Sequence, residues 1–495
     1  MLKVTCLTNK LANREIHNAT YFKSNPIKII NMKSIFRTKS IQSILDGAKK
    51  KSLQKTLGAF DLILLGVGCT IGTGIFVLTG IAAAEYAGPA VSISYALAGL
   101  ACIFAGLAYT ELAAMVPASG SAYTYSYVIL GEFIAWLVAW GLILEYTVAS
   151  STVAAGWSGY FVGILKSGGI SLPESLTKVP SEGGVINLPA VCISLFIGIL
   201  LVRGTKESIV LNRILVAIKL GVIFLFLAVA APHIEMENYA NFFPYGWHGV
   251  GIGAATIFFA YLGFDAVATT AEECKNPNRD LPIGIIGGLL ICIVLYVAVS
   301  LALTGIVNFS ELNNPEPMAY ALRVNGSNIG SALVGTGAIT GMVAVLLVLM
   351  YGQSRIFFVM SRDGLIPEFF SKLHKKFGTP YVGCLFVTVA VAIISGFTPI
   401  QTMGQMSSLG TLFAFTVVSI GVLVMRVRSP NIERPFKCPA VFVVAPLAII
   451  SCSYLMYNLF LKTGKPFLVW FAIGLVVYFA YSYRRSPLHQ NSKTK

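Results

Sequence analysis

Charge is the scarcest property of this chain. Asp, Glu, Lys and Arg supply only 12% of its 495 residues, about half the share of a soluble domain. Hydrophobic residues supply 56%, which excludes a water-soluble globule and leaves an integral membrane protein. Organised cysteine is missing too. The nine cysteines are scattered and form no C-x-x-C pair, so neither a disulfide framework nor a zinc site is implied. The five histidines, His17, His233, His248, His374 and His489, never fall at the i, i+4 spacing of a helical metal site. There is no phosphate-binding G-x-x-x-x-G-K-[ST], no H-E-x-x-H, and no serine or cysteine beside an evident base. These absences argue against an ATP-driven pump, a metalloenzyme and a hydrolase. A protein without enzymatic activity, cofactor or metal is expected.

What is present is apolar length. Twelve segments of spanning length occur, at about 59–82, 90–114, 132–165, 187–202, 207–231, 249–271, 281–306, 329–360, 381–397, 406–427, 440–461 and 466–483. An all-α membrane protein of twelve transmembrane helices is predicted. Residues 1–58 form a basic tail with twelve Lys or Arg against two acids; it does not read as a cleavable signal peptide. Placing this tail in the cytoplasm puts 30 of the 36 Lys and Arg on inside segments. The outside loops then hold five, Lys166, Lys178, Arg323, Lys462 and Lys465, and Lys219 is left within a span. Positive charge accumulates on the cytoplasmic side of membrane proteins. Both termini, including the tail 484–495, are therefore expected in the cytoplasm, with the chain in the cell membrane. The net charge of +15 is a topology signal and not a nucleic-acid surface.

Within the first span lies Gly66-Val67-Gly68-Cys69-Thr70-Ile71-Gly72-Thr73-Gly74, four glycines in nine positions. Each interior Gly costs a helix about 0.5–1 kcal/mol relative to Ala. A helix break is expected between Thr70 and Gly74. In a bilayer such a break is tolerated only where protein buries it or where it lines a cavity. It leaves free carbonyls on one half-helix and free N–H groups on the other. The first attract an ammonium and the second a carboxylate, the two groups an amino acid carries on one carbon. The competing reading is close helix packing through Gly68-x-x-x-Gly72. The sixth span repeats the pattern in Phe258-Phe259-Ala260-Tyr261-Leu262-Gly263-Phe264-Asp265. Spans 1 and 6 thus open two sets of five helices, 59–231 and 249–427, which start from opposite faces; spans 11 and 12 (440–483) stand outside them. Paired interrupted helices in inverted repeats point to a secondary transporter with a midplane site.

An ordered series of motifs then resembles one family. It runs through Gly58-Ala59-Phe60-Asp61, Tyr109-Thr110-Glu111-Leu112, Pro117-x-x-Gly120-Ser121 and the Phe259–Asp265 run. It continues with Glu272-Glu273-x-x-Asn276-Pro277 and Gly352-Gln353-Ser354-Arg355, and ends in Met360-Ser361-Arg362-Asp363-Gly364. From about Met32 to 483 the chain is similar to the amino acid–polyamine–organocation transporters, and within them to the bacterial branch of the cationic amino acid transporters. The resemblance implies the leucine-transporter fold and an amino acid substrate held at the breaks of spans 1 and 6. Carried over by position, the substrate carboxylate would meet Thr73 and Gly74. The ammonium would meet carbonyls near Thr70, Phe259 and Leu262, and the Phe259 ring would close over the substrate. Ile71, Gly72, Ala260 and Gly263 complete the two breaks, and Met342 of span 8 faces them.

Ionisable residues inside spans are functional candidates. Lys219 lies near the middle of span 5 with no acid within one turn, too deep to snorkel. In the family, a lysine here resembles the one standing where sodium-coupled relatives bind an ion. A lysine can shed its proton when buried, so Lys219 is the candidate proton carrier, with carbonyls of span 1 and hydroxyls of span 8 as its expected acceptors. Asp265 either exchanges protons or caps freed N–H groups. Glu145 reads as a polar contact between helices or part of a proton path. Glu111, Asp61, Arg355, Arg362 and Asp363 read as ion-paired gates or topology. The expected function is proton-coupled import of small neutral amino acids, with Met342 occupying the volume a long side chain needs. The alternatives are a cationic amino acid, exchange, or a receptor on the same scaffold. Gly74→Val is expected to act on binding and not on folding. The first 31 residues are expected to be disordered and dispensable to a chain starting at Met32.

Overall fold

The computed structural model describes residues 37–39, 56–116, 120–204, 209–270 and 273–486. The leader up to Met32, Pro117 and Glu272 lie outside these residues, as does the tail beyond 486. All named elements among the described residues are helices, joined by turns and loops, and one isolated bridge pairs Leu57 with Cys274.

The principal helices are α1 Ala59–Thr70, α2 Val91–Met115, α3 Ser121–Ile129, α4 Glu132–Ser167, α5 Leu188–Arg203, α6 Ile209–Ala230 and α7 Gly246–Ile257. After them come α8 Pro277–Ile306, α9 Pro317–Val324, α10 Asn328–Arg362, α11 Tyr381–Phe397, α12 Ile400–Arg428 and α13 Val441–Val477. Among the described residues, eight helical stretches are long and apolar enough to cross a membrane; α1, α5 and α11 are shorter apolar helices. At the centre, α4 packs on α10 and α12, while α8 packs on α1 and α2. On the flanks α5 lies against α11, and α13 lies against α12 and α2.

Three boundaries differ from expectation. α12 begins at Ile400, six residues before the apolar run, because Pro399 caps a first turn whose Gln401 is polar yet helix-compatible. The last two expected spans are two helices that meet without a loop at the non-helical Thr463 (φ −121°, ψ 16°), three residues before Pro466, whose missing N–H and ring break the helix there. The short helix α3 lacks spanning length, so hydropathy alone does not reveal it.

Candidate functional site

Both expected breaks are present. α1 stops at Thr70, and Ile71 turns extended (φ −72°, ψ 100°). The chain resumes in a π-turn at Gly74–Leu78, continues as Thr79–Ala82 and closes in a second π-turn, Ala83–Ala87. α7 tightens into a 3₁₀ turn at Phe258–Tyr261, Leu262 turns extended (ψ 141°), and Gly263 takes φ +107°. That conformation belongs to glycine, and a Cβ there would also lie 3.0 Å from the Cβ and carbonyl oxygen of Cys69. The two breaks therefore touch.

A broken helix must place its orphan carbonyls somewhere. Here Lys219 and Tyr296 each take one, and Tyr95 and Tyr160 add bonds to carbonyls of the resumed half-helix. Lys219 on α6, only 1% exposed, donates to Gly68 O at 2.6 Å. Tyr95 on α2 donates to Gly74 O at 3.3 Å, and the Thr79 hydroxyl, bonded to Ile75 O at 2.7 Å, lies 3.4 Å from the same oxygen. Tyr160 on α4 donates to Phe76 O at 2.8 Å. Tyr296 on α8 donates to Ala260 O at 2.9 Å. Thr70 turns its hydroxyl back to Gly66 O at 2.9 Å and shares a 2.9 Å hydrogen bond with the thiol of Cys292. Sequence reasoning missed the three tyrosines. A hydroxyl in the middle of an apolar span was the available signal, since a buried tyrosine oxygen usually has a partner.

Lys219 is thus held by the first span, as expected. The expected hydroxyls of span 8 are not its partners: Gly341 of α10 lies against its methylenes instead, where an added Cβ would come within 3.1 Å of Lys219 Cγ. A charged lysine at a helix centre costs about 2.5–3.5 kcal/mol on insertion scales, and one charge-assisted hydrogen bond returns about 1.5–3 kcal/mol of it. Among the described residues no carboxylate stands beside it, and the neighbouring ionisable groups are the thiols of Cys69 and Cys292.

Asp265 follows the second break and is buried. Tyr146 of α4 donates to its Oδ2 at 3.3 Å, and Oδ1 has no partner among the described residues. Glu145, the preceding residue on α4, is also buried; it neighbours Asp265 and Thr411, and its Oε2 has no partner among the described residues.

A cavity of about 430 Å³ leads from Cys69 and Gly263 past Tyr146 to Asp61 and Arg213 at the end where α1 begins. A second, of about 830 Å³, reaches Gly156 and Val77 from the opposite end. Thr73 lies between them against Gly156, where a Cβ would come within 2.5 Å of its Cγ2. Of the ten residues expected to hold substrate, Gly263 alone lines either of these two cavities. Thr70, Ile71, Gly72, Thr73, Gly74, Phe259, Ala260, Leu262 and Met342 are packed shut and buried, with the Thr73 hydroxyl donating to Met342 Sδ at 3.3 Å. Cys69 and Tyr146, which the sequence did not single out, face the first cavity instead.

The mouth of that cavity carries the ion pairs. Asp61 of α1 binds Arg213 of α6 at 2.5 Å. Asp363, just past α10, binds Lys39 at 2.7 Å and accepts from Tyr123 of α3 at 2.5 Å. Deeper, Glu111 of α2 takes both nitrogens of Arg426 at 2.8 and 2.7 Å and sits 3.2 Å from Arg434, with side chains of Glu111 and Arg434 only 1–2% exposed.

Two interrupted helices that meet in the middle of an apolar bundle, one of them tied to a buried lysine, define a multi-pass helical membrane protein whose centre is polar and enclosed. A family model described as "Amino acid permease" matches residues 57–481. The chain belongs to that family, within the amino acid–polyamine–organocation superfamily, and the family's members are membrane transporters. It is 46% identical to the methylthioribose transporter of Bacillus subtilis (strain 168) over 93% of this chain and all of that one. It is 47% identical to the branched-chain amino acid permease BcaP of the same organism, over 92% of this chain and 99% of that one. It is 38% identical to the vacuolar cationic amino acid transporter 4 of Arabidopsis thaliana, over 81% and 68%.

Proposed function

We propose that this chain imports neutral amino acids across the cell membrane by alternating access, with Lys219 carrying the coupled proton. The observation behind this reading is the 2.6 Å bond from Lys219 to Gly68 O, in the last turn of α1 before the first break unwinds at Ile71. In the proposed cycle, spans 1–5 and 6–10 act as inverted five-helix repeats in a twelve-span chain with both termini in the cytoplasm. Substrate lies between the breaks, its carboxylate toward Thr73 and Gly74 and its ammonium toward carbonyls near Thr70, Phe259 and Leu262. Opening to the outside separates Thr73 from Gly156. Opening to the inside widens the cavity that ends at Cys69 and Gly263. When the first half-helix tilts, Lys219 loses Gly68 O and releases its proton. Asp265, with a free acceptor, is the second candidate in the path.

The neutral substrate is supported by the apolar side chains Leu142, Val345 and Leu349 lining the first cavity, and by the branched-chain permease among the relatives. The full-length match to a methylthioribose transporter favours a second reading, a sulfur-bearing sugar in the same site. Uptake into liposomes separates the two. Labelled leucine and alanine should accumulate when an inward proton gradient is imposed, and unlabelled arginine or methylthioribose should compete poorly. Stronger competition by methylthioribose than by leucine would replace the amino acid with the sugar.

A further inference from the structure

The loop between α10 and α11 is short of freedom although it lies on the surface. At one end Phe370 stacks on Phe357 at 5.1 Å, and Ser361 Oγ donates to Pro367 O at 2.9 Å. At the other, the chain closes on His374. Its N–H donates to Thr379 O and its carbonyl accepts from Gly378 N, both at 2.8 Å. Its Nδ1 accepts from the N–H groups of Lys376 and Phe377 at 3.2 and 3.3 Å. The Phe377 ring stacks on the imidazole at 4.7 Å, and Thr379 Oγ1 ties the turn to Val202 O of α5 at 2.8 Å.

This rigid turn presents two kinds of group outward. Phe369, Leu373 and Phe377 are 46%, 52% and 39% exposed. Lys372, Lys375 and Lys376 alternate with them, all exposed, and none is ion-paired among the described residues. Arg203 at the end of α5 is exposed next to the same turn. Glu368 is the only carboxylate between 364 and 380. A loop that joins two membrane helices directly lies at the level of the lipid headgroups. Apolar side chains there enter the acyl boundary, and lysines keep their ammonium groups at the phosphates.

We propose that residues 368–377 form an interfacial anchor that binds the anionic phospholipids of the leaflet at this end of the bundle. Lys372, Lys375 and Lys376 take the phosphates, while Phe369, Leu373 and Phe377 enter the acyl region. The unpaired positive charge selects an anionic lipid over a zwitterionic one, and the fixed turn holds the three lysines together without ordering cost on binding.

The test uses the full chain reconstituted in phosphatidylcholine vesicles containing a minority of phosphatidylglycerol. It is extracted in mild detergent, and the co-purified lipid is counted by mass spectrometry. The wild type should retain phosphatidylglycerol at about threefold or more above its share of the vesicle, and high salt should strip that excess, as screening of exposed charge requires. The triple change Lys372→Gln, Lys375→Gln, Lys376→Gln should abolish the excess, whereas Lys→Arg at the same positions should keep it. Uptake in pure phosphatidylcholine should be equal for all three proteins, which establishes that each is folded. Phe369→Ser with Leu373→Ser and Phe377→Ser should lower retention of both lipids. An undiminished phosphatidylglycerol excess in the Gln variant, or equal enrichment of phosphatidylcholine in the wild type, overturns the proposal and assigns the lysines to a protein partner or to none.

Discussion

The two broken helices solve one problem with different chemistry. Around the first break the freed carbonyl Gly68 O is taken by a cation, Lys219, while Tyr95 on Gly74 O and Tyr160 on Phe76 O brace the resumed half-helix. Around the second, Tyr296 takes Ala260 O and Phe259 O accepts from Leu262 N inside the turn, while the chain that follows carries its own charge in Asp265. The first break thus borrows a positive group from a neighbouring helix, and the second supplies a negative group with an unfilled acceptor. A group held from another helix is released when the helices move apart. A group on the same segment travels with it. That difference favours Lys219 over Asp265 as the site where movement and protonation are linked.

The contact between the breaks gives the largest expected effect. A Cβ at Gly74 would lie 2.4 Å from Ala260 Cα and 2.5 Å from its Cβ, whereas one at Gly72 would meet only the methyl of Val345 at 3.3 Å. Gly74→Val therefore forces the broken helices apart and alters packing as well as ligand access, which corrects the expectation of a pure binding effect. Gly74→Val should abolish uptake and lower the yield of folded protein in detergent. Gly72→Ala should retain most of both. Equal behaviour of the two variants in size-exclusion profiles and uptake would show that the breaks are not in contact in the working protein.

Removing the cation comes next. Lys219→Met should reduce proton-driven accumulation at least about tenfold while substrate still binds, because the charge and not the packed volume is deleted. Gly68 O then lacks its donor, at a cost of about 1–3 kcal/mol, but the burial cost of the charge, about 2.5–3.5 kcal/mol, goes too, so the thermal midpoint should change little. Asp265→Asn keeps an acceptor oxygen and should slow uptake less. The check is concentrative uptake with and without a protonophore. If Lys219→Met accumulates substrate as the wild type does and Asp265→Asn does not, the assignment of the two breaks is reversed.

The breaks themselves were legible because glycine is costly in a helix, four of them crowd 66–74, and Gly263 stands beside Asp265 in mid-span. The acceptor of Lys219 was half legible: depth fixed the need for a carbonyl, but not that Gly341 would occupy the side assigned to a hydroxyl. Which side chains close the breaks was not legible. Tyr95, Tyr160 and Tyr296 sit on helices apolar all round, and such helices have no periodicity to say which face turns inward. The same lack of a period hid the contact of Gly74 with Ala260. The closed packing of Thr73 and Phe259 depends on conformation, which residue types do not encode.

The smallest expected effect compares the hydroxyls at the two breaks. Tyr296 is the only side-chain donor recorded on Ala260 O among the described residues, at 2.9 Å. Tyr95 is longer, at 3.3 Å, and Thr79 reaches the same Gly74 O at 3.4 Å while also bonding Tyr95 at 2.7 Å. Tyr296→Phe strands a buried carbonyl and should cost about 1–3 kcal/mol. In Tyr95→Phe, Thr79 keeps its 2.7 Å bond to Ile75 O and Gly74 O loses only a long bond, so the loss should be under about 1 kcal/mol. Thermal midpoints of the two variants in one detergent measure the difference, and uptake rates should rank them in the same order. A larger loss for Tyr95→Phe would mean that Gly74 O, and with it the outer half of the first break, depends on Tyr95 more than so long a bond implies.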